Sequence, residues 1–225
     1  MESLDGYSPS KYGSKTLMGG YQTFRDFLKQ NFSPLLRADG FKGSGTTFRR
    51  IKGEAIHIID IQGSKWGGEC CINLAVHFLF LPTTIGRPVD DYKKLRHSEC
   101  EFRIRLHGPG ESDHWWPYGE TEAESESSAE NLIDTYQRFG GTYFEKFEPF
   151  PDALEKITAA EMDAGDISKL PPTQSTLVRL ALTMARIMNH LKRFEKCRQF
   201  AEVGLRHLGN ASGLRAELEQ LRNAT

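Results

Sequence analysis

Hydrophobic positions recur every three or four residues near the N-terminal end of the chain, which is the spacing of an amphipathic helix. They follow Tyr21 and are Phe24, Phe27, Leu28, Phe32, Leu35 and Leu36. Pro34 falls inside this stripe, so the helix should be kinked there or should restart with Ser33 as its cap. Asp39-Gly40 provides the stop. Residues 1–20 are rich in glycine and serine and show no apolar period, so we expect a flexible lead-in.

Four later segments have the character of β-strands: residues 46–51, 54–62, 70–81 and 100–107. The last segment alternates most cleanly, and Phe102, Ile104 and Leu106 should lie on its buried face. The apolar residues expected to join them in one cluster are Leu74, Val76 and Phe78. Short connections that contain glycine favour antiparallel pairing. We therefore expect one antiparallel sheet of about four strands, packed by one face against the first helix.

Helices are predicted for the second half of the chain. Residues 120–137 combine an apolar stripe with glutamates in the first turns, where carboxylates suit the positive end of the helix dipole. A linker with two prolines spans residues 165–174, and residues 175–225 are predicted to be helical throughout. Their small and apolar positions have the spacing of a single tetratricopeptide helix pair: Ala185, Met188, Cys197, Ala201 and Gly204. A C-terminal helical hairpin is therefore expected.

These elements predict an α+β protein in three parts. The parts are the lead-in at residues 1–20, an α+β domain at residues 21–165 and a helical extension at residues 175–225. Hydrophobic residues make up 38% of the chain and charged residues 26%, a composition that excludes a wholly disordered protein. The 29 Lys and Arg residues balance the 30 Asp and Glu residues, so nucleic acid and anionic membranes, which require a basic excess, are not expected as partners.

The sequence offers no feature for membrane insertion or secretion. Its longest strongly apolar run, residues 72–81, is far shorter than the roughly 20 residues that span a bilayer. Residues 1–17 lack the basic start and apolar middle of a signal peptide. The four cysteines should then be reduced thiols, mostly buried: Cys70, Cys71, Cys100 and Cys197. We expect a cytoplasmic protein, and nothing in the sequence predicts its oligomeric state.

Charge is unevenly distributed along the chain. Residues 119–166 hold 13 acidic and 3 basic side chains, whereas residues 175–225 hold 9 basic and 4 acidic ones. This asymmetry could drive an intramolecular contact or recruit a charged partner. The alternative is that both segments simply form solvated helix faces.

Alternation in the predicted strands assigns polar side chains to one face of the sheet. This candidate polar face comprises His57, Asn73, His77, Glu101, Arg103, Arg105 and His107, with Asp60 and Gln62 near its edge. Histidines beside a carboxylate can perform general acid–base chemistry, and arginines can hold a phosphate or a carboxylate. An antiparallel sheet also commonly leaves one face in water, which polar residues serve without any chemistry. We expect the solvated face, with its side chains spread flat or paired.

Three tryptophans lie in polar, glycine-rich segments and are candidate interface aromatics or caps of the core: Trp66, Trp115 and Trp116. Residues 43–47 (GSGTT) lack the Gly-Lys-Ser/Thr ending of a phosphate-binding loop and should form a turn. The sequence contains no nucleophile elbow, no metalloprotease helix, no dinucleotide-binding glycine motif and no metal-chelating spacing. We therefore predict no catalytic residue, no metal and no cofactor.

Several short motifs follow one another in a characteristic order. They are residues 36–42 (LRADGFK), 47–50 (TFRR), 58–64 (IIDIQGS), 71–76 (CINLAV) and 101–106 (EFRIRL). This order resembles a bacterial family, the domain of unknown function 4304, over about residues 21–140, and the helical tail resembles an extension that many members carry. The resemblance implies a fold of a helix, an antiparallel sheet and further helices. It implies no activity.

Three hypotheses for the function follow. The first is a non-enzymatic protein-interaction module with an unidentified protein partner, which by analogy with immunity proteins could be a toxin. The second is a hydrolase or phosphate-handling enzyme that uses the candidate polar face. The third is a small-ligand sensor that uses the same face. The lack of catalytic motifs and the uneven charge favour the first hypothesis.

Overall fold

The structure is a computed structural model, and it describes residues 13–111 and 113–225, with only the backbone for residues 13–18. Helix α1 (Gly13–Phe27) continues through a π-helical turn (Leu28–Phe32) into α2 (Ser33–Ala38). The buried positions of this unit are four residues apart: Phe24, Leu28, Phe32 and Leu36. Steps of four residues drift by about 40° each around an α-helix. The wider π turn takes back part of that drift and keeps the stripe facing the core.

This helical unit differs from the prediction at both ends. Helix α1 begins at Gly13, so the second part of the predicted lead-in is helical, while residues 1–12 lie outside the described residues. Gly20 is needed for packing, because a Cβ there would lie 2.1 Å from the carbonyl oxygen of Gly119. Ser33 does not cap α2: its backbone is helical (φ −61°, ψ −41°), and its hydroxyl donates to the Leu28 carbonyl. The π turn accommodates Pro34, which has no amide to donate.

Within the described residues, six strands form one antiparallel sheet, as the α+β prediction requires. They are β1 (Lys42–Ser44), β2 (Thr47–Lys52), β3 (Ala55–Gly63), β4 (Glu69–Phe78), β5 (Phe102–Arg105) and β6 (Trp116–Pro117). Strands β1 to β5 are neighbours in chain order, and β6 pairs with the beginning of β4. The four predicted strands are β2 to β5, and the short edge strands β1 and β6 are additional.

One face of the sheet packs against the helices and forms the main core. Leu74 of β4 lies between Ile59 of β3 and Ile104 of β5, because these residues are directly paired in the register. The predicted cluster is confirmed, with Ile104 only partly buried against it and the others buried: Phe102, Leu106, Leu74, Val76 and Phe78.

The opposite face of the sheet is partly apolar as well. Ile56, Ile58 and Ala75 form a small second core with Leu95 and Cys100 from the segment that connects β4 to β5. That segment contains a short 3₁₀ turn (His97–Glu99). The first half of β3 is therefore buried on both faces.

Further helices follow the sheet. Helix α3 (Glu122–Thr135) continues through a π turn (Tyr136–Gly140) into α4 (Gly141–Glu145), and the short helices α5 (Asp152–Glu155) and α6 (Ala159–Asp163) come next. A capping box starts α3: the Thr121 hydroxyl accepts a hydrogen bond from the Glu124 amide, and the Glu124 carboxylate accepts one from the Thr121 amide.

The linker fastens the C-terminal helices to the sheet. The amide of Gln174 donates to the Arg103 carbonyl (3.0 Å), and the hydroxyls of Thr173 and Ser175 both donate to the Glu101 carbonyl (2.7 Å each). These bonds cover the outer edge of β5, which would otherwise be an open sheet edge.

Helices α7 (Leu177–His190), α8 (Phe194–Arg206) and α9 (Arg215–Arg222) complete the fold. The predicted hairpin is α7 and α8, whose apolar residues belong to the main core. Gly204 lets α9 pack closely on α8, because a Cβ there would lie 2.5 Å from the Leu218 side chain. Within the described ranges, no helix combines the length and the apolarity needed to cross a membrane.

Candidate functional site

A row of polar side chains crosses the sheet on the face opposite the helices. Thr47 pairs with Asp60, Asp60 with Asn73, and Asn73 with Arg105, so the four residues lie side by side on β2 to β5. Directly paired residues of an antiparallel sheet share a face. We call these four residues the polar row; it contains two of the predicted polar-face residues, Asn73 and Arg105.

Asp60 is the carboxylate at the centre of the polar row. It accepts hydrogen bonds from the Thr47 hydroxyl (2.7 Å) and lies 3.1 Å from Nδ1 of His97. Burial raises the pKa of Asp60, but the hydrogen bonds from His97 and Thr47 outweigh that effect and hold the pKa below its usual range. Asp60 is therefore ionised at neutral pH and holds the 3₁₀ turn against the sheet.

Arg105 ends the polar row and organises the loop that follows β5. Its guanidinium donates to both carboxylate oxygens of Asp113 (2.8 and 2.7 Å). The ring of Trp115 stacks on the guanidinium at 4.7 Å, and the Trp115 indole donates to Asp113 (3.2 Å). The positive charge is thus neutralised inside the chain, and the three side chains form one packed unit.

His57 is not part of the polar face, which corrects the prediction. It pairs with Val76, whose side chain belongs to the main core, so His57 faces the helices. Its ring stacks on Phe144 at 4.7 Å and is 1% exposed. Burial, followed by the charges of Arg50 and Lys52, lowers the pKa of His57 to about 3. The residue is a neutral packing group.

The other predicted polar-face residues are each held by nearby groups. His77 is buried with Nε2 3.1 Å from the Leu81 carbonyl, and burial lowers its pKa. Glu101 accepts hydrogen bonds from Arg179 of α7 (2.5 and 3.2 Å) and Ser175 (2.8 Å). Arg103 donates to the Cys100 carbonyl (2.6 Å), and Nδ1 of His107 lies 2.8 Å from the Gly108 carbonyl. The register places His77 and Arg103 on the same face as Asn73 and Arg105. Among the described residues, no side-chain hydrogen bond joins His77, Glu101, Arg103 or His107 to Asn73 or Arg105.

The three candidate interface tryptophans have different environments. Trp66, at the tip of the β3–β4 hairpin, is 85% exposed. Trp115 is half-buried on Arg105, and Trp116 is buried, with its indole donating to the Asn131 side chain (2.9 Å). Only Trp66 is therefore fully available at the surface.

An open groove of about 870 Å³ lies beside α3. Trp116, Pro117 and His114 line it on the sheet side, and Gly68, two residues from Trp66, also contributes. The lining residues from α3 and its N-terminal flank are Glu120, Ala123, Glu124, Ser127, Ser128 and Asn131. We call this feature the α3 groove. The bond between Trp116 and Asn131 fixes its two sides to one another.

A family model described as "Domain of unknown function (DUF4304)" matches residues 32–146. The chain belongs to the DUF4304 family. In the comparisons, no curated protein and no solved structure matches the chain. The DUF4304 region contains the sheet, the polar row and the α3 groove, whereas α7 to α9 lie beyond it.

A thiol, that of Cys71, lies beside the polar row of the DUF4304 region, two residues before Asn73 on β4. Cys71 is buried, and burial raises its pKa to about 11, so it is a neutral thiol at physiological pH. A neutral thiol is a poor nucleophile. Among the described residues, no group of three His, Cys, Asp or Glu side chains is arranged to hold a metal ion.

The sequence does not predict the α3 groove as a site, although two of its lining residues, Glu120 and Glu124, belong to the acidic run of the sequence. In the sequence, the acidic run from Glu120 to Glu130 is explained equally well by the helix dipole and by a solvated helix face. The groove depends on residues that are far apart in the chain, Gly68 and Asn131 among them, and only the pairing of β4 with β6 brings these together.

Proposed function

We propose that this DUF4304 protein is a non-enzymatic protein-interaction module that binds a basic partner through the α3 groove and the exposed carboxylates of α3 next to it. The observation that carries this proposal is a set of exposed carboxylates that have no ion pair within the described part of the chain. Glu120 lines the groove. Glu122, Glu126 and Glu130 follow one another at four-residue spacing on the exposed side of α3 next to it.

The helix dipole accounts for only part of this charge. Glu122 and Glu124 lie in the first turn of α3, where a carboxylate is favourable, and Glu124 also caps the helix. Glu126 and Glu130 lie beyond that turn. Like charges four residues apart destabilise a helix by a few tenths of a kcal/mol, so the series from Glu122 to Glu130 costs stability. A basic partner surface would offset that cost on binding.

Other acidic residues of the same segment do find cations inside the chain. Glu148 pairs with Lys52 (2.7 Å), and Asp163 pairs with Arg206 (3.0 Å) of α8. Glu155 contacts Arg193. The uneven charge of the sequence therefore serves intramolecular contacts around α5 and α6, and Glu120, Glu122, Glu126 and Glu130 are left for an external partner.

Trp66 supports the same surface. Its indole is 85% exposed on a hairpin tip whose Gly68 lines the α3 groove. Protein interfaces commonly combine an aromatic anchor with a charged rim, and exposed tryptophan is among the residues that contribute most on burial. A basic partner that covers the groove would lie next to this indole.

Charge reversal with a matched control tests the proposal. The variant Glu122→Lys/Glu126→Lys/Glu130→Lys changes the α3 surface, and Asp90→Lys/Glu145→Lys/Glu202→Lys changes net charge equally at exposed positions elsewhere. Wild type and both variants are used for affinity capture from the source organism, and captured proteins are quantified. We expect basic proteins that the wild type and the control retain and the α3 variant loses. Capture that is equal for both variants, or no capture by the wild type, contradicts the proposal.

An immunity-like role is the special case in which the captured basic protein is a toxin. Co-expression of that protein with the wild-type chain should then restore growth, and co-expression with the α3 variant should not. Growth inhibition that neither chain relieves would leave the interaction in place but would contradict the immunity role.

A further inference from the structure

A second cavity, of about 390 Å³, lies between the first helical unit and the β1–β2 turn. Arg25, Lys29 and Arg37 line it from the helix. Tyr118 and the turn at residues 44–46 (Ser-Gly-Thr) also line it. We call this cavity the N-terminal cleft. It is not part of the α3 groove, with which it shares no lining residue.

The π turn explains why three cations face the same cleft. Residues 25, 29, 33 and 37 come directly after the four buried residues of this helical unit, Phe24, Leu28, Phe32 and Leu36. They therefore have the same spacing of four residues. A regular α-helix would spread such a series around its axis by about 40° per step. The π turn at Leu28–Phe32 reduces that spread, and Arg37 remains on the side of Arg25 and Lys29.

These cations lack counter-charges within the part of the chain that the structure describes. Among the described side chains, Asp26 is the one acidic group that lines the cleft, and it accepts a hydrogen bond from Gln22 (2.9 Å). Arg25 and Lys29 are one turn apart, where like charges repel each other. An anion bound in the cleft would relieve that repulsion.

Aromatic side chains form one end of the N-terminal cleft. Tyr118 packs edge-on against Tyr21 (4.9 Å between ring centroids) and Phe24 (5.2 Å), and the Arg25 guanidinium lies over the Tyr21 ring at 5.5 Å. Gly63 leaves room for the Tyr118 hydroxyl, because a Cβ at Gly63 would lie 3.2 Å from it. Rings beside cations suit a ligand that has both an apolar and an anionic part.

We propose that the N-terminal cleft binds a small organic phosphate, with the phosphate held by Arg25 and Lys29 and the apolar part against Tyr21 and Tyr118. Arg37 lies about 18 Å along the helix from Arg25 and adds positive charge at the other end of the cleft. A phosphate monoester carries about −1.5 to −2 charges at pH 7, which three cations and one carboxylate complement. Guanidinium and ammonium groups form charge-assisted hydrogen bonds to phosphate, and the Ser44 and Thr46 hydroxyls are further donors. This site is independent of the protein-interaction function proposed above.

Titration of the full chain with phenyl phosphate tests the site, with phenol and inorganic phosphate as partial probes. Binding is measured by calorimetry and by NMR shifts. We expect saturable binding of phenyl phosphate, weaker binding of inorganic phosphate and none of phenol, with shifts at Tyr21, Tyr118 and residues 44–46. The variant Arg25→Gln/Lys29→Gln/Arg37→Gln should lose at least about tenfold in affinity, the order expected for one charge-assisted hydrogen bond.

A charge-matched control distinguishes the cleft from general attraction of anions. The variant Lys65→Gln/Lys94→Gln/Arg222→Gln removes three exposed cations outside the cleft and should keep the wild-type affinity. Circular dichroism checks that both variants are folded. Equal weakening in the two variants, or no saturable binding of phenyl phosphate to the wild type, overturns the proposal. The α3 charge reversal should leave phenyl phosphate binding unchanged, so the two proposals fail separately.

Discussion

At the scale of single residues, His57 shows how the position in the sheet decides the chemistry of a histidine. Its ring lies against Phe144, and its Nδ1 is 3.1 Å from the Arg50 guanidinium. Burial and the nearby positive charges disfavour protonation and lower the pKa of His57 from 6.5 to about 3. At neutral pH the residue contributes packing and one hydrogen bond to Arg50.

The lowered pKa of His57 predicts a loss of stability in acid. The unfolded chain binds this proton below about pH 6.5, and the folded chain binds it only near pH 3, so the free energy of unfolding should decrease as pH falls between these values. The expected loss from His57 is about 3 kcal/mol between pH 7 and pH 4. Urea unfolding at both pH values, for wild type and His57→Gln, measures it. Equal losses in the two proteins would contradict the assignment.

The face of His57 could not be predicted from alternation. Isoleucines occupy both faces of β3: Ile59 lies in the main core, and Ile56 and Ile58 lie in the second core. When both faces of a strand carry apolar residues, the alternation of the sequence does not show which face is exposed. In β5 the polar and apolar residues alternate strictly, and there the predicted buried side is correct.

At the scale of elements, Gly19 and Gly20 provide a matched pair of tests for the packing of α1. A Cβ at Gly19 would meet no atom within 4 Å, whereas one at Gly20 would lie 2.1 Å from the Gly119 carbonyl oxygen. Gly19→Ala should stabilise the protein by about 0.5–1 kcal/mol through helix propensity. Gly20→Ala should destabilise it by about 1–3 kcal/mol, because helix and loop must move apart.

Chemical denaturation of both glycine variants measures these changes. The NMR signals of Tyr118 provide a second measurement, because Tyr118 lines the N-terminal cleft and directly precedes Gly119. These signals should shift in Gly20→Ala and not in Gly19→Ala. If the two substitutions have effects of the same sign, α1 does not pack on Gly119 as described.

The sheet predicts a contrast between its core and its edge. Leu74 is fully buried in the centre of the sheet, and Ile51 on β2 is 60% exposed. Leu74→Ala should lower the free energy of unfolding by about 2–5 kcal/mol. Ile51→Ala should change it by less than about 0.5 kcal/mol. Urea denaturation of both variants checks the register, and similar costs for the two would refute it.

The elements that escaped prediction are short or irregular. Strand β1 is three residues long with a glycine at its centre, and β6 is two residues long. Strands this short show no alternation of polar and apolar residues. They form because they pair with the longer strands β2 and β4. The π turns depend on the packing of a helix stripe against the core, which a local pattern does not contain.

At the scale of the whole molecule, charge connects the segments that the fold brings together. Asp163 of α6 contacts Arg206 and His207 at the end of α8, and Glu101 contacts Arg179 of α7. The sequence predicted the charge asymmetry and left open whether it acted within or between molecules. The structure shows the contacts within the molecule, and Glu122, Glu126 and Glu130 of α3 have no ion pair among the described residues.

Site-specific photo-crosslinking in cells tests the central claim that the α3 groove is the interaction surface. A photoreactive residue is placed at Ser127 in the groove, at Trp66 on the hairpin tip, or at Glu202 on the exposed side of α8. We predict that positions 127 and 66 give the same discrete crosslinked protein and that position 202 gives none of it. Crosslinks from position 202 alone, or none from positions 127 and 66, would contradict the claim.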